Sequence, residues 1–268
     1  MQFRPATLDE LTIDDRAPLT GVAIYQRLET FLRGSGHRFL IPEAGQQASW
    51  DRALFLNLTY WNVEAGADVL CDDHIPADVV AHVAWHELAT RQVARARAGT
   101  RINDDRLRAA PSSAGLFFAE SIASAFDLYL VGRLLPRAAD SDFLATQVPL
   151  MTECADNAGL PEAGFAALLE EVTRAPERAF EDLRALLFDA ATTLVAAETA
   201  TAANAALEEL VGHRFAPLLH HYQLSNWILY ARAYAARSSE PDEIVRGLDR
   251  TLREAPVSLD WLDQNWLG

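Results

Sequence analysis

The stretch AHVAWHELATRQV, residues 81–93, carries two histidines four apart, His82 and His86, with Glu87 directly after the second. Residues four apart lie on one face of an α-helix, so both imidazoles can reach one ion. Zinc takes neutral imidazole nitrogens at about 2.0–2.1 Å, and a catalytic zinc uses three protein ligands. The third is expected to be a carboxylate on a neighbouring element. Glu120 answers that description, because it sits within the apolar run GLFFAESIASAFDLYLVGRLL, where burying a bare carboxylate is costly. Ser124 and Asp127 follow four and seven residues later, so the three share one polar stripe. From that stripe Asp127 could orient a ligand histidine through its second ring nitrogen, with Ser124 beside it.

Plainer readings of the same residues stand alongside. His82 and His86 could be satisfied histidines facing core or solvent, and Glu120 could pair with an arginine such as Arg91 or Arg95. Glu87 could serve in a surface ion pair. His74, in the CDDHIP turn next to Asp72 and Asp73, is an alternative ligand. A centre with two irons would call for Glu-x-x-His pairs on the helices, and the chain has none.

These side chains need elements to hold them. Pro76 suits the first turn of a helix, so a helix is predicted from about 76 to 98, stopping near Gly99. A second is predicted over about 113–135, ending before Pro136. Ahead of them, residues 18–34 read as an amphipathic helix with Gly34 as its stop. Three β-like runs follow: His37–Pro42, Leu54–Trp61 with its alternating LFLNLTYW, and Asp68–Cys71. Further helices are predicted over roughly 140–157, 161–174, 176–211, 214–236 and 241–254. Trp261 and Trp266 are expected to dock as apolar anchors. The expected class is α+β, mostly α-helical: a small N-terminal sheet, the histidine helix, then a helical C-terminal half. The expected division is residues 1–135 with the candidate metal site and residues 136–268 as a helical subdomain, or one continuous domain.

Composition removes several chemistries. The chain has 268 residues and a net charge of −15, a balance that repels phosphate backbones and anionic membrane surfaces. Neither nucleic acid nor membrane is therefore an expected partner. All 23 basic residues are arginine, and without lysine there is no Schiff-base chemistry and no Walker-type phosphate loop. There is no GxGxxG, and Cys71 and Cys154 are too far apart to make a metal or redox spacing motif. The apolar run around 116–135 is interrupted by Glu120, Asp127 and Arg133. The opening MQFRPATLDELTIDD has no basic region followed by an apolar stretch, so a cytoplasmic location is expected.

Taken together, AWHELATRQ resembles the active-site helix of the gluzincin branch of the zincin metallopeptidases, and AESIASAFD resembles that family's glutamate helix. The resemblance covers about residues 37–135. It implies a zinc held by His82, His86 and Glu120, a peptide or protein substrate, and a glutamate that activates water. It also implies a histidine or tyrosine from the later helices that steadies the oxyanion, for which Tyr222, with His213, His220 and His221 nearby, is the candidate. The family motif HExxH is degenerate here. Aligned on His86-Glu87, the second histidine falls on Thr90; aligned on His82/His86, the general-base position falls on Val83. With His82 at zero, Glu87 lies at roughly 140° around the helix and the usual base at about 100°, one turn lower. Glu87 is the candidate base, displaced by about 6 Å along the axis. The alternative is a zincin-like scaffold that has lost its base and serves binding or assembly.

Overall fold

A computed structural model describes residues 2–43, 45–47, 49–60, 67–99, 112–235 and 242–268. The chain is α+β and mostly helical, with short strands confined to its N-terminal part. It divides into two compact units, residues 1–87 and 88–268.

In the first unit, β1 (Phe3–Ala6) runs antiparallel to β3 (Arg38–Pro42), and β3 pairs in parallel with β4 (Ala67–Val69). A second, two-stranded sheet pairs β2 (Thr12–Asp14) with β5 (His74–Pro76) in parallel. Alternation in β3 follows the strand rule, with Phe39 and Ile41 turned into the core. The helix predicted over 18–34 is a short turn, α1 (Arg16–Leu19), followed by α2 (Ala23–Ser35). Its stop is Gly36 and not Gly34: Gly36 adopts φ +77, the left-handed geometry that glycine enters without strain. Glu29, buried on α2, accepts hydrogen bonds from Arg16 and Arg33, which hold its carboxyl below the usual range although burial opposes this.

The run Leu54–Trp61, expected as a strand, is helical instead. It belongs to α3 (Trp50–Tyr60), and Trp61 lies outside the described residues. The Ser49 carbonyl accepts from Arg52 and Ala53, and Asp51 stands in the first turn beside unpaired N–H groups. These starting signals outweigh the alternation in LFLNLTYW.

Helix α4 (Ala77–Gly99) matches the predicted 76–98, and the division between the units falls within it. The second unit is built on α5 (Ser113–Leu134) and α8 (Pro176–Ala196), which share the most extensive packing. α5 is long and apolar enough to cross a membrane by composition, but 72% of its apolar window is buried, as expected of a core helix. Gly132 permits α5 to approach the helix Glu162–Arg174 closely, since an added Cβ there would stand 2.7 Å from the Val172 carbonyl oxygen. α6 (Asp142–Asn157) is capped by Ser141, and α7 (Glu162–Arg174) follows.

The predicted helix over 176–211 is two. α8 ends at Ala196, Ala197 is extended, and Thr199 caps α9 (Ala200–Glu208) by accepting from the Ala202 N–H. No residue of α9 is buried. The predicted 214–236 is also broken. A single 3-10 turn at Ala216–Leu218 carries Pro217, Gln223 takes a left-handed conformation, and α10 spans Leu224–Tyr234. α11 (Glu243–Glu254) begins at Asp242, which caps it and accepts from Arg97 and Ser112. The C-terminal residues form α12 (Ser258–Trp266), whose Trp266 meets the edge of Phe118 at 6.3 Å. Arg184 is fully buried on α8, clamped by Glu181 and Asp249.

Candidate metal centre

α4 presents an apolar face of Val80, Ala81, Ala84, Trp85, Leu88 and Ala89, all buried. His82 and His86 stand off that face and are half-buried, which leaves their rings desolvated enough to ligate but reachable. Their Nε2 atoms lie 3.3 Å apart, and their ring centroids 5.0 Å apart at 38°. Glu120 is carried by α5, whose start is fixed by Ser112 accepting from the Gly115 N–H at 3.0 Å. Phe117, Phe118, Ile122 and Ala123 around it are buried, while Glu120 itself is half-buried. One ligand atom from each of His82, His86 and Glu120 lies within 4.8 Å of the other two. Among the described residues, no other group of three histidine, cysteine or acidic side chains converges in this way.

The donor set fits a metal ion. Two nitrogens bound to zinc at about 2.05 Å, at a near-tetrahedral angle, must stand about 3.3 Å apart, the separation the two Nε2 atoms have. Neutral imidazoles with one carboxylate are borderline ligands that suit zinc. This group could hold a metal ion; its chemistry alone does not name the metal. The structure also separates the two motif alignments. Thr90 is exposed, whereas His82 joins the cluster, so the pair that converges with Glu120 is His82/His86, and in that alignment the usual base position falls on buried Val83.

Glu87 is engaged by a residue that sequence reading overlooked. His37, immediately before β3, has a side chain only 8% exposed, and its Nδ1 stands 3.8 Å from Glu87 Oε2. On the other side its Nε2 is 3.1 Å from Asp68 Oδ2. Burial opposes charging of the ring, but the hydrogen bond to Asp68 and the nearby carboxylate of Glu87 outweigh it and push the His37 pKa up to about 9. HRFLIP reads from sequence as a strand, and nothing local announces that the parallel β3–β4 pairing brings Asp68 beside His37.

Ser124, one turn beyond Glu120, is buried, and Asp127, one turn further, is half-buried. Asp127 acts electrostatically on His221 and Tyr222. Burial lowers the His221 pKa, with Asp127 partly offsetting it. Burial, then the charge of Asp127, raises that of Tyr222, so the phenol stays protonated. The two rings meet edge to face at 4.9 Å. Of the other candidates, His220 is exposed, and His213 accepts the Phe215 N–H through Nδ1. His74 pairs with Asp14 at 3.0 Å instead of joining the metal group. Cys71 and Cys154 are free thiols whose pKa values burial raises.

Comparison with known proteins finds no matching family model, no matching curated protein and no matching solved structure.

Proposed function

We propose that this protein is a zinc-dependent hydrolase of gluzincin type acting on peptide-like bonds, in the cytoplasm, with His82, His86 and Glu120 as the metal ligands. The observation that carries the reading is the convergence of those three side chains, with the two Nε2 atoms at 3.3 Å. When bound, zinc supplies Lewis acidity, which polarises a scissile carbonyl and makes water easier to deprotonate. The chain's own residues divide the remaining work. Glu87, one residue past the ligand His86, offers a carboxylate that can take a proton. His37 stands against that carboxylate. Tyr222 keeps its proton and can donate a hydrogen bond to a developing oxyanion. Asp127 and Ser124 line the polar stripe that leads on from Glu120.

The test is direct. His86→Ala and Glu120→Ala should each abolish zinc binding and zinc-dependent hydrolysis of a denatured protein substrate. Full activity in either variant sinks the proposal. A second reading, a metal-binding scaffold without turnover, is favoured by Val83 at the usual base position and by the engagement of Glu87 with His37. It predicts stoichiometric zinc with no hydrolysis of any peptide substrate.

A further inference from the structure

We infer that His37 is a positioning residue that fixes the carboxylate of Glu87 beside the metal ligands, through a chain that runs Asp68–His37–Glu87; this rests on the zinc-hydrolase reading above. The chain draws on three elements of the first unit. β3 and β4 pair in parallel with Phe39 opposite Asp68, which sets Asp68 at the edge of the His37 ring. The Asp68 Oδ2 to His37 Nε2 separation of 3.1 Å is a hydrogen bond. The fully buried Phe39 meets the imidazole edge to face, 4.8 Å between centroids at 70°, and this restrains the ring plane. With Nε2 tied to Asp68 and the plane restrained, Nδ1 is the remaining polar atom of the ring, and Glu87 Oε2 stands 3.8 Å from it.

That distance matters for what His37 can do. It is longer than a hydrogen bond, so His37 acts on the carboxylate by charge attraction and not through a shared proton. Glu87 sits about one helical turn from where a base usually stands in this kind of helix, so its direction has to be set by a partner and not by the helix alone. His37 is the partner that the β3–β4 edge supplies.

The experiment has two arms. In metal-free protein labelled with ¹⁵N at histidine, the ring nitrogens of His37 are read by NMR in wild type, Glu87→Gln and Asp68→Asn. Glu87→Gln should move the Nδ1 resonance and Asp68→Asn the Nε2 resonance. In zinc-loaded protein, His37→Asn places an amide donor near the Nδ1 position, whereas His37→Gln places one near Nε2. The Asn variant should retain kcat within about threefold. The Gln and Ala variants should lose about 10- to 100-fold in kcat, with KM and zinc affinity unchanged. A Nδ1 resonance indifferent to Glu87→Gln, in a protein that does hydrolyse peptides with zinc, overturns the role of His37 alone. Equal loss in the Asn, Gln and Ala variants together with lowered thermal stability overturns it too, by showing a structural role only. Wild-type protein that shows no zinc-dependent hydrolysis overturns the hydrolase reading and the positioning role with it, whatever the NMR shows.

Discussion

The Nε2 atoms of His82 and His86 stand 3.3 Å apart on successive turns of one helix, the spacing two nitrogens have when they share a tetrahedral ion. A ligand that binds only the folded chain stabilises it by mass action, by about 4 kcal/mol at a thousandfold excess over Kd. Zinc should therefore raise the thermal midpoint of the wild-type protein, and a chelator should reverse the rise. His86→Ala should melt at the same temperature with and without zinc. Scanning calorimetry on the two proteins checks this.

Stability should also fall with alkaline pH, through His37. Its pKa is raised in the folded protein to about 9 from an ordinary 6.5. The stabilisation is thus fully present below pH 6.5 and is lost as pH rises through 9. At about 1.4 kcal/mol per pKa unit, the full effect is roughly 3 kcal/mol. Urea unfolding of wild type should weaken between pH 6.5 and 9 relative to His37→Gln. Parallel pH profiles for the two proteins would contradict it.

Arg184 is fully buried on α8 between Glu181 and Asp249, with Asp249 also paired to Arg253 and Arg253 to Asp189. Removing one partner of a buried ion pair leaves the other uncompensated, at a cost of about 3–5 kcal/mol. Arg184→Met should lose that much. Arg184→Met combined with Asp249→Leu should lose less, because the more buried of its two carboxylate partners is then gone and the half-buried Glu181 can still reach water. Denaturant titrations of the single and double variants decide it.

Gly132→Ala should destabilise even though alanine is the better helix former. The propensity gain is about 1 kcal/mol. Against it, the new methyl would meet the Val172 carbonyl oxygen, a backbone atom that cannot swing aside, at 2.7 Å and the Pro176 ring at 3.0 Å. Overpacking of this kind costs about 1–3 kcal/mol, and contact with a backbone oxygen puts it toward the upper end, so the net loss should be up to about 2 kcal/mol. An unchanged or higher melting temperature would contradict the close approach of α5 to the helices beside it.

Much of the fold could be read from residues alone, where periodicity and caps agreed. α4 and α5 were legible because Pro76 marks the start of one and Pro136 the end of the other, and their lengths exceed anything a strand would use. LFLNLTYW failed because a short apolar run alternates acceptably as a strand and also fits a helix; the deciding signals, Ser49 and Asp51, lie upstream of it. The break at Ala197 was hidden because an Ala/Thr-rich run looks helical whether or not its side chains have anything to pack on.

The same holds at the site. His82, His86 and Glu120 could be connected because each obeys a local rule: helical spacing for the pair, an acid within an apolar helix for the third. His37 could not be connected to Glu87, since their proximity comes from strand β3 lying beside β4 and from how α4 leaves β5. No local pattern encodes such a pairing. Thr90 illustrates the reverse case, a position the motif alignment left open and burial resolved.

The most direct measurement is the zinc content and zinc affinity of purified wild-type protein beside Glu120→Ala, by elemental analysis and calorimetric titration. One zinc per chain in wild type, with binding lost or weakened at least about a hundredfold in Glu120→Ala, is the predicted result. No zinc above background in wild type, or an unchanged affinity in Glu120→Ala, would contradict a metal centre built from His82, His86 and Glu120.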